Sequence, residues 1–174
     1  MARIAVFHNL PSGGGKRALF EWTRRLAGRH ELDVYSLGTA NHDFCDLRPY
    51  VSNYNIINFH PLPLYKSPWG RLNQFQRWRD IQKLEIVFQH MAAQIDTGGY
   101  DVVFSNSCQF TFIPILHTYL RTPSLYYLHE YFPNRVQRAI RRPYLKQSRE
   151  KQLLDHLDPL IPLYYWRLFK VQQA

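Results

Sequence analysis

The first 37 residues constrain this chain more than any other stretch. Arg3 to Phe7 is a short apolar run, broken by Pro11-Ser12-Gly13-Gly14-Gly15. Ala18, Leu19, Trp22 and Leu26 then recur at helical spacing as far as Gly28, and residues 32–37 (Leu-Asp-Val-Tyr-Ser-Leu) read as a second strand. Strand, Gly-rich turn, helix and strand in so short a span make a βαβ unit. Such crossovers build parallel sheets, because the helix must return the chain across a sheet face before it can pair in the same direction.

The remaining pattern repeats this alternation. Residues 55–59 read as a third strand, and the Pro-rich segment 60–68 as an ordered surface loop. A long helix is expected over about 70–96, with Leu72, Phe75, Leu84, Phe88, Met91 and Ile95 near one stripe and Gly98-Gly99 as its stop. A strand over 100–105, a helix over about 109–120 and a strand over 124–128 complete the set, with His129 and Glu130 directly after the last strand. The expected fold class is α/β: a single Rossmann-like domain over residues 1–131, with a mostly parallel sheet flanked by helices. A basic helical extension follows over 132–174, broken by prolines at 133, 143, 159 and 162. The chain stops within a helical pattern, so we expect either a fragment of a longer protein or a shortened reading frame.

Charge narrows the partners. The formal net charge is +9 with a sequence pI of about 9.7, which favours phosphates, nucleic acid or acidic membrane surfaces. The cysteines are Cys45 and Cys108, with no CxxC and no Cys/His cluster. A disulfide framework and a structural metal are therefore not expected, and reduced cysteines suit a cytoplasmic protein. No apolar run approaches the ~20 residues needed to span a bilayer, although peripheral membrane contact fits the charge.

The Gly-rich turn lies where α/β folds hold phosphate, since glycine lets the backbone approach closely and a helix N-terminus offers free N–H groups. Gly13-Gly14-Gly15-Lys16-Arg17-Ala18 formally matches G-x-G-x-x-A, but the second strand ends Tyr35-Ser36-Leu37-Gly38 without the carboxylate that a dinucleotide site wants. The Walker A spacing fails as well: Leu10 stands five before Gly15, and Arg17 follows Lys16. Two readings stay open: a tight turn that starts a helix, or a loop that touches phosphate through its amides.

Ligands in open α/β sheets bind outside the carboxyl ends of the strands. Here those ends carry His8-Asn9, the Gly loop, Asn106-Ser107 and His129-Glu130. A strand-end histidine such as His129 can hydrogen-bond a sugar hydroxyl or serve as a packing residue. His30, His42, His60, His90, His117 and His156 read as surface or packing residues. Residues 135–151 hold seven Arg or Lys, Arg138, Arg141, Arg142 and Lys146 among them. A second basic cluster, Arg71, Arg77, Arg79 and Lys83, is interleaved with Trp69, Phe75 and Trp78. Both suit an anionic lipid surface or a phosphate-bearing acceptor, and both also suit a solvated helix face. No nucleic-acid-binding motif accompanies the charge, so nucleic acid is not an expected partner.

Three segments in order resemble the N-terminal domain of family 4 glycosyltransferases, retaining enzymes with two facing Rossmann-like domains. They are Ile4-Ala-Val-Phe7 leading into Gly13-Gly-Gly-Lys-Arg17, Tyr100-Asp-Val-Val-Phe-Ser105, and Pro123-Ser-Leu-Tyr-Tyr-Leu-His129-Glu130; together they span about residues 2–131. The resemblance implies the N-terminal half of a nucleotide-sugar-dependent enzyme. This half forms the acceptor side of the cleft, and the donor-binding domain lies beyond it. The implied diphosphate- and substrate-binding residues are Gly13, Gly14, Gly15, Arg17, Asn106 and Glu130, with His129 near the transferred sugar as the catalytic residue. No cofactor or metal is implied beyond the sugar nucleotide itself, and the acceptor is unspecified. Two residues depart from the family pattern: Lys16 stands where the family usually has Glu, and Glu130 where it usually has Asp. The alternative is a basic α/β module that docks on an anionic membrane or a partner.

Overall fold

The computed structural model describes residues 1–129 and 157–173. Its elements in chain order are β1 (Arg3–Asn9), α1 (Gly14–Leu26), β2 (Glu31–Leu37), β3 (Asn53–Ile57), α2 (Asn73–Thr97), β4 (Val102–Cys108), β5 (Ser124–Tyr126) and α3 (Leu160–Gln173). The five strands form one all-parallel sheet in the order β3-β2-β1-β4-β5. A Rossmann-like α/β domain is therefore what the βαβ pattern delivers.

Side-chain alternation along the strands divides the core in two. Ile4, Val6, Leu32 and Val34 face α1, where they pack with Leu19 and Leu47. Ala5, Phe7, Tyr35 and Leu37 face the opposite way and pack with Ile81, Leu84, Phe88, Met91 and Ile95 of α2 and Leu168 of α3. Phe7 meets Phe88 edge-on at 5.4 Å between ring centroids. The expected stripe on α2 is buried from Leu84 onward. Phe75 and Leu72, which lies in the 3-10 turn before the helix, stay exposed.

Several boundaries differ from the sequence reading. The first buried stripe of α1 is Lys16, Leu19 and Thr23, while Trp22 is exposed and leans on Phe104 and Tyr127. β3 lies two residues earlier than expected, and β5 ends at Tyr126. No α-helix forms over 109–120. Cys108 and Phe112 instead make an antiparallel bridge with Phe112 at φ 59°, and only Ile115–Thr118 forms a 3-10 turn. Pro114 explains this. It has no N–H to donate, and its ring would clash with the carbonyl four residues back. Of the expected C-terminal helical extension, α3 is present. Pro162 sits in its first turn, where a missing N–H costs little, and Asp158 accepts the Leu160 N–H at 2.9 Å.

The sheet is cross-tied at its amino end by one buried carboxylate. Asp33, in β2, accepts from Arg3 Nη2 at 3.1 Å, Tyr100 Oη at 2.7 Å and Asn53 Nδ2 at 2.8 Å. These donors come from β1, the α2–β4 turn and β3. Gly99 allows that turn by taking φ 71°. Asp33→Ala would leave three donors without their acceptor. Hydrogen bonds to charged groups each contribute about 1.5–3 kcal/mol, so we expect a loss of roughly 3 kcal/mol by urea unfolding. A loss below about 1 kcal/mol would show that the tie is incidental.

Candidate functional site

β1 is flanked by β2 on one side and β4 on the other, so the chain order reverses direction at β1/β4. That reversal opens a crevice at the carboxyl ends of the strands. A cavity of about 290 Å³ lies there, walled by Leu10 to Lys16, Ser107 to Gln109, Phe112 and His129. The Gly-rich turn and the strand-end histidine therefore line the same pocket.

Gly13 precedes α1 with φ 155° and ψ −170°, a conformation that side-chain-bearing residues avoid. It hands the chain directly into the helix, with the Arg17 N–H reaching the Gly13 carbonyl at 3.1 Å. The first amides of α1 have no partner within the helix, and no acidic residue lies in its first turn. The end of α1 is therefore electropositive. Gly15 lies against the face of the His129 ring: a Cβ there would sit 3.5–3.6 Å from Nε2, Cδ2 and Cε1. Any side chain beyond a methyl would push the imidazole away.

Asn106 sets the orientation of His129. The β1–β4 register slips by one residue between Phe7/Ser105 and Asn9/Cys108, so β4 carries an extra residue at this point. Such irregularities redirect side chains near sites. The Asn106 Oδ1 lies 3.0 Å from His129 Nε2. An amide oxygen can only accept, so this contact holds Nε2 in its protonated form. The Nδ2 of the same amide is buried without a partner among the described residues. Tyr127 packs edge-on against the imidazole at 4.7 Å.

Not every expected residue reaches the pocket. His8 and Asn9 are the last residues of β1 and fully buried, rather than residues beyond its end. Arg17 is exposed, with its guanidinium carbon 6.0 Å from the Phe44 ring centroid, and is not part of the pocket wall. Asn106 acts through His129. Glu130, His156 and the basic residues Arg138, Arg141, Arg142 and Lys146 lie outside the described residues. His117, read as a surface or packing residue, packs between strands. It bridges Ser105 and Ser124 at 2.5 and 2.9 Å, joining β4 to β5, and burial lowers its pKa.

Lys16 was not expected in the core. It is fully buried beneath the first turn of α1, and its Nζ lies 3.1 Å from His8 Nε2. The alternation that sends Val6 toward α1 also sends His8 there. Tyr54 of β3 links onward, its hydroxyl 3.2 Å from His8 Nε2 and 3.0 Å from His42 Nδ1. Burial pushes the Lys16 amine down to about 8, against partial support from Asp46, and Lys16 makes no ion pair among the described residues. Burial, and then the Lys16 charge, hold His8 well below the usual histidine range. The spacing Val6, His8 was legible; a lysine on the apolar face of a helix was not.

A larger, mostly apolar cleft of about 530 Å³ adjoins the site and shares Gln109 and Phe112 with it. Its walls come from Leu62, Ile81, Leu84, Phe110 and Leu168, and the exposed Arg77 also lines it. Among the described residues there is no group of three His, Cys, Asp or Glu that could hold a metal, and no helix long and apolar enough to cross a membrane. Comparison of the chain with protein-family models, curated proteins and solved structures finds no match.

The lowered pKa of Lys16 sets a pH signature. Between about 8 and the ordinary lysine value of ~10.4 the unfolded chain binds more protons than the folded one, so stability rises with pH across that window. Below it, the folded protein carries a buried cation that makes no ion pair among the described residues. Lys16→Met should therefore raise the melting temperature at pH 7, by a margin that shrinks as pH approaches 10. A variant less stable than the parent at pH 7, or a margin independent of pH, contradicts the assignment.

Proposed function

We propose that this domain is the acceptor-side half of a nucleotide-sugar-dependent retaining glycosyltransferase. The observation that carries the reading is the meeting of the Gly13–Gly15 turn and His129 in one pocket at the reversal point of a parallel sheet. Amides at an electropositive helix end suit the donor's diphosphate. A tautomer-fixed imidazole over Gly15 suits a hydroxyl of the sugar. In this reading Gly13, Gly14 and Gly15 receive the diphosphate, and His129 contacts the sugar undergoing transfer. The adjoining apolar cleft receives part of the acceptor. Preorganised donors of this kind stabilise charge that develops as the diphosphate leaves. The resemblance implies that the nucleotide contacts lie on a second domain.

Amide shifts on titration with millimolar UDP-glucose or GDP-mannose test the reading. Both should move Gly13, Gly14, Gly15, Asn106 and His129 together. Shifts that bypass the Gly turn, or none at all, reject it. In the enzyme carrying the activity, His129→Ala should lower transfer by about 10²-fold or more, the scale seen for loss of one preorganised donor. The melting temperature should change by only a few degrees.

A second reading draws on Leu64, Tyr65, Trp69, Leu72 and Phe75, all exposed around Lys66 and Arg71. Aromatic and apolar side chains beside cations suit an anionic bilayer surface. Flotation on liposomes containing phosphatidylserine should then exceed that on neutral liposomes and fall with salt. Equal, salt-insensitive recovery removes this reading.

A further inference from the structure

A buried cation needs a reason. Lys16 is fully buried, and none of the ion pairs among the described residues includes it. Its hydrogen-bond partner is His8, itself buried and more useful as a neutral base than as a counter-ion. Isolated buried charges are costly and normally either neutralise or find an opposite charge. The groups facing the amine are His8 from β1, Tyr54 from β3, and His42, Cys45, Asp46 and Arg48 from the loop after β2. Asp46 is the acid among them, and it is already engaged by Arg48, whose Nε lies 2.8 Å from its Oδ1. Among the described residues no carboxylate therefore pairs with Lys16, and Asp46 supports its charge only in part. Lys16 instead lies in the first turn of α1, forms part of the pocket wall and follows directly on Gly15.

We propose that Lys16 is the charge partner of the Gly-turn anion site, and that seating a phosphoryl dianion on the amides of Gly14 and Gly15 is coupled to protonation of its amine. The ligand class is a phosphoryl dianion, free or as the diphosphate of a sugar nucleotide. The coupling rests on the reading of the Gly turn as an anion site. Proton bookkeeping is simple: one proton passes from the buffer to the Lys16 amine, and no other bond changes. The geometry accommodates both states. A charged Nζ donates to the lone pair of His8 Nε2. A neutral Nζ accepts from His8 Nε2–H, and the buried Nδ1 then carries a lone pair instead of an unpaired N–H. Unpaired buried acceptors are easier to tolerate than unpaired donors.

This device sets specificity by charge. An uncharged or zwitterionic ligand gains nothing from the proton, whereas a dianion gains a cation beneath the loop. By linkage, a ligand that favours the protonated amine binds more weakly as pH rises through the free-state titration.

Sulfate is the probe, since its charge stays fixed from pH 7 to 9.5; chloride at equal ionic strength is the control. Calorimetry in two buffers of different ionisation heat reads affinity and proton uptake together. We expect sulfate affinity to fall by roughly tenfold or more between pH 7 and 9.5, as linkage to a single titrating group dictates. Uptake at pH 9 should approach one proton per anion. Lys16→Met should bind sulfate more weakly at pH 7, with no pH slope and no uptake. Pyrophosphate and UDP-glucose arms tell a free-phosphate site from a sugar-nucleotide site, and either should show the same uptake. Sulfate bound at equal affinity at both pH values without proton uptake overturns the coupling alone, as does a pH slope retained in Lys16→Met. Sulfate indistinguishable from chloride, with no UDP-glucose binding, overturns the anion site and the reading it rests on. The measurement on the unaltered protein decides even where the variant does not fold.

Discussion

β1 is hydrogen-bonded to a parallel neighbour on each side, and the rest of the structure depends on that. A strand paired on both edges cannot end by drifting sideways; the chain must leave the sheet along its axis and turn over a face. Gly13 makes that turn, and α1 begins at once. The two halves of the sheet grow outward from β1 in opposite chain directions, so their connections part above it. The pocket is the gap they leave.

Everything gathered at that gap arrives by alternation or by a slip in it. Two-residue periodicity puts His8 under α1 and Asn9 beside Cys108 on the other face. The one-residue slip between β1 and β4 lets Asn106 reach across to His129. At the opposite end of the sheet, Asp33 collects donors from three segments and holds the strands in register. The amino end is thus tied by contacts onto one carboxylate, whereas the carboxyl end holds, among the described residues, an Asn106 nitrogen without a partner and a buried amine. Local dissatisfaction of this kind is common at functional sites, where stability is given up to poise groups for a ligand.

The sequence was most legible where pattern and composition agreed. The βαβ start, the Leu84 to Ile95 stripe and the strand before His129 were all readable, because apolar periodicity reports burial directly. It misled over 109–120, where an apolar run suggested a helix. Pro114 and the left-handed Phe112 turn that run into a tight return instead. It also misled at Trp22, exposed on a helix whose buried face begins with a lysine. The meeting of Gly15 with His129 was expected from strand-end geometry, whereas the role of Asn106 as the partner of His129 was not.

The sequence by itself determined an α/β fold with its Gly-rich turn between the first strand and the first helix, since local spacing of apolar residues and glycine suffices to set those. Only the tertiary structure decided which polar groups stand together. Lys16, His8, Tyr54 and His42 come from four separate segments, and no local pattern records that one amine, two imidazoles and a phenol will stand together. Contacts across a sheet depend on strand order and register, which the chain settles only when distant strands pair.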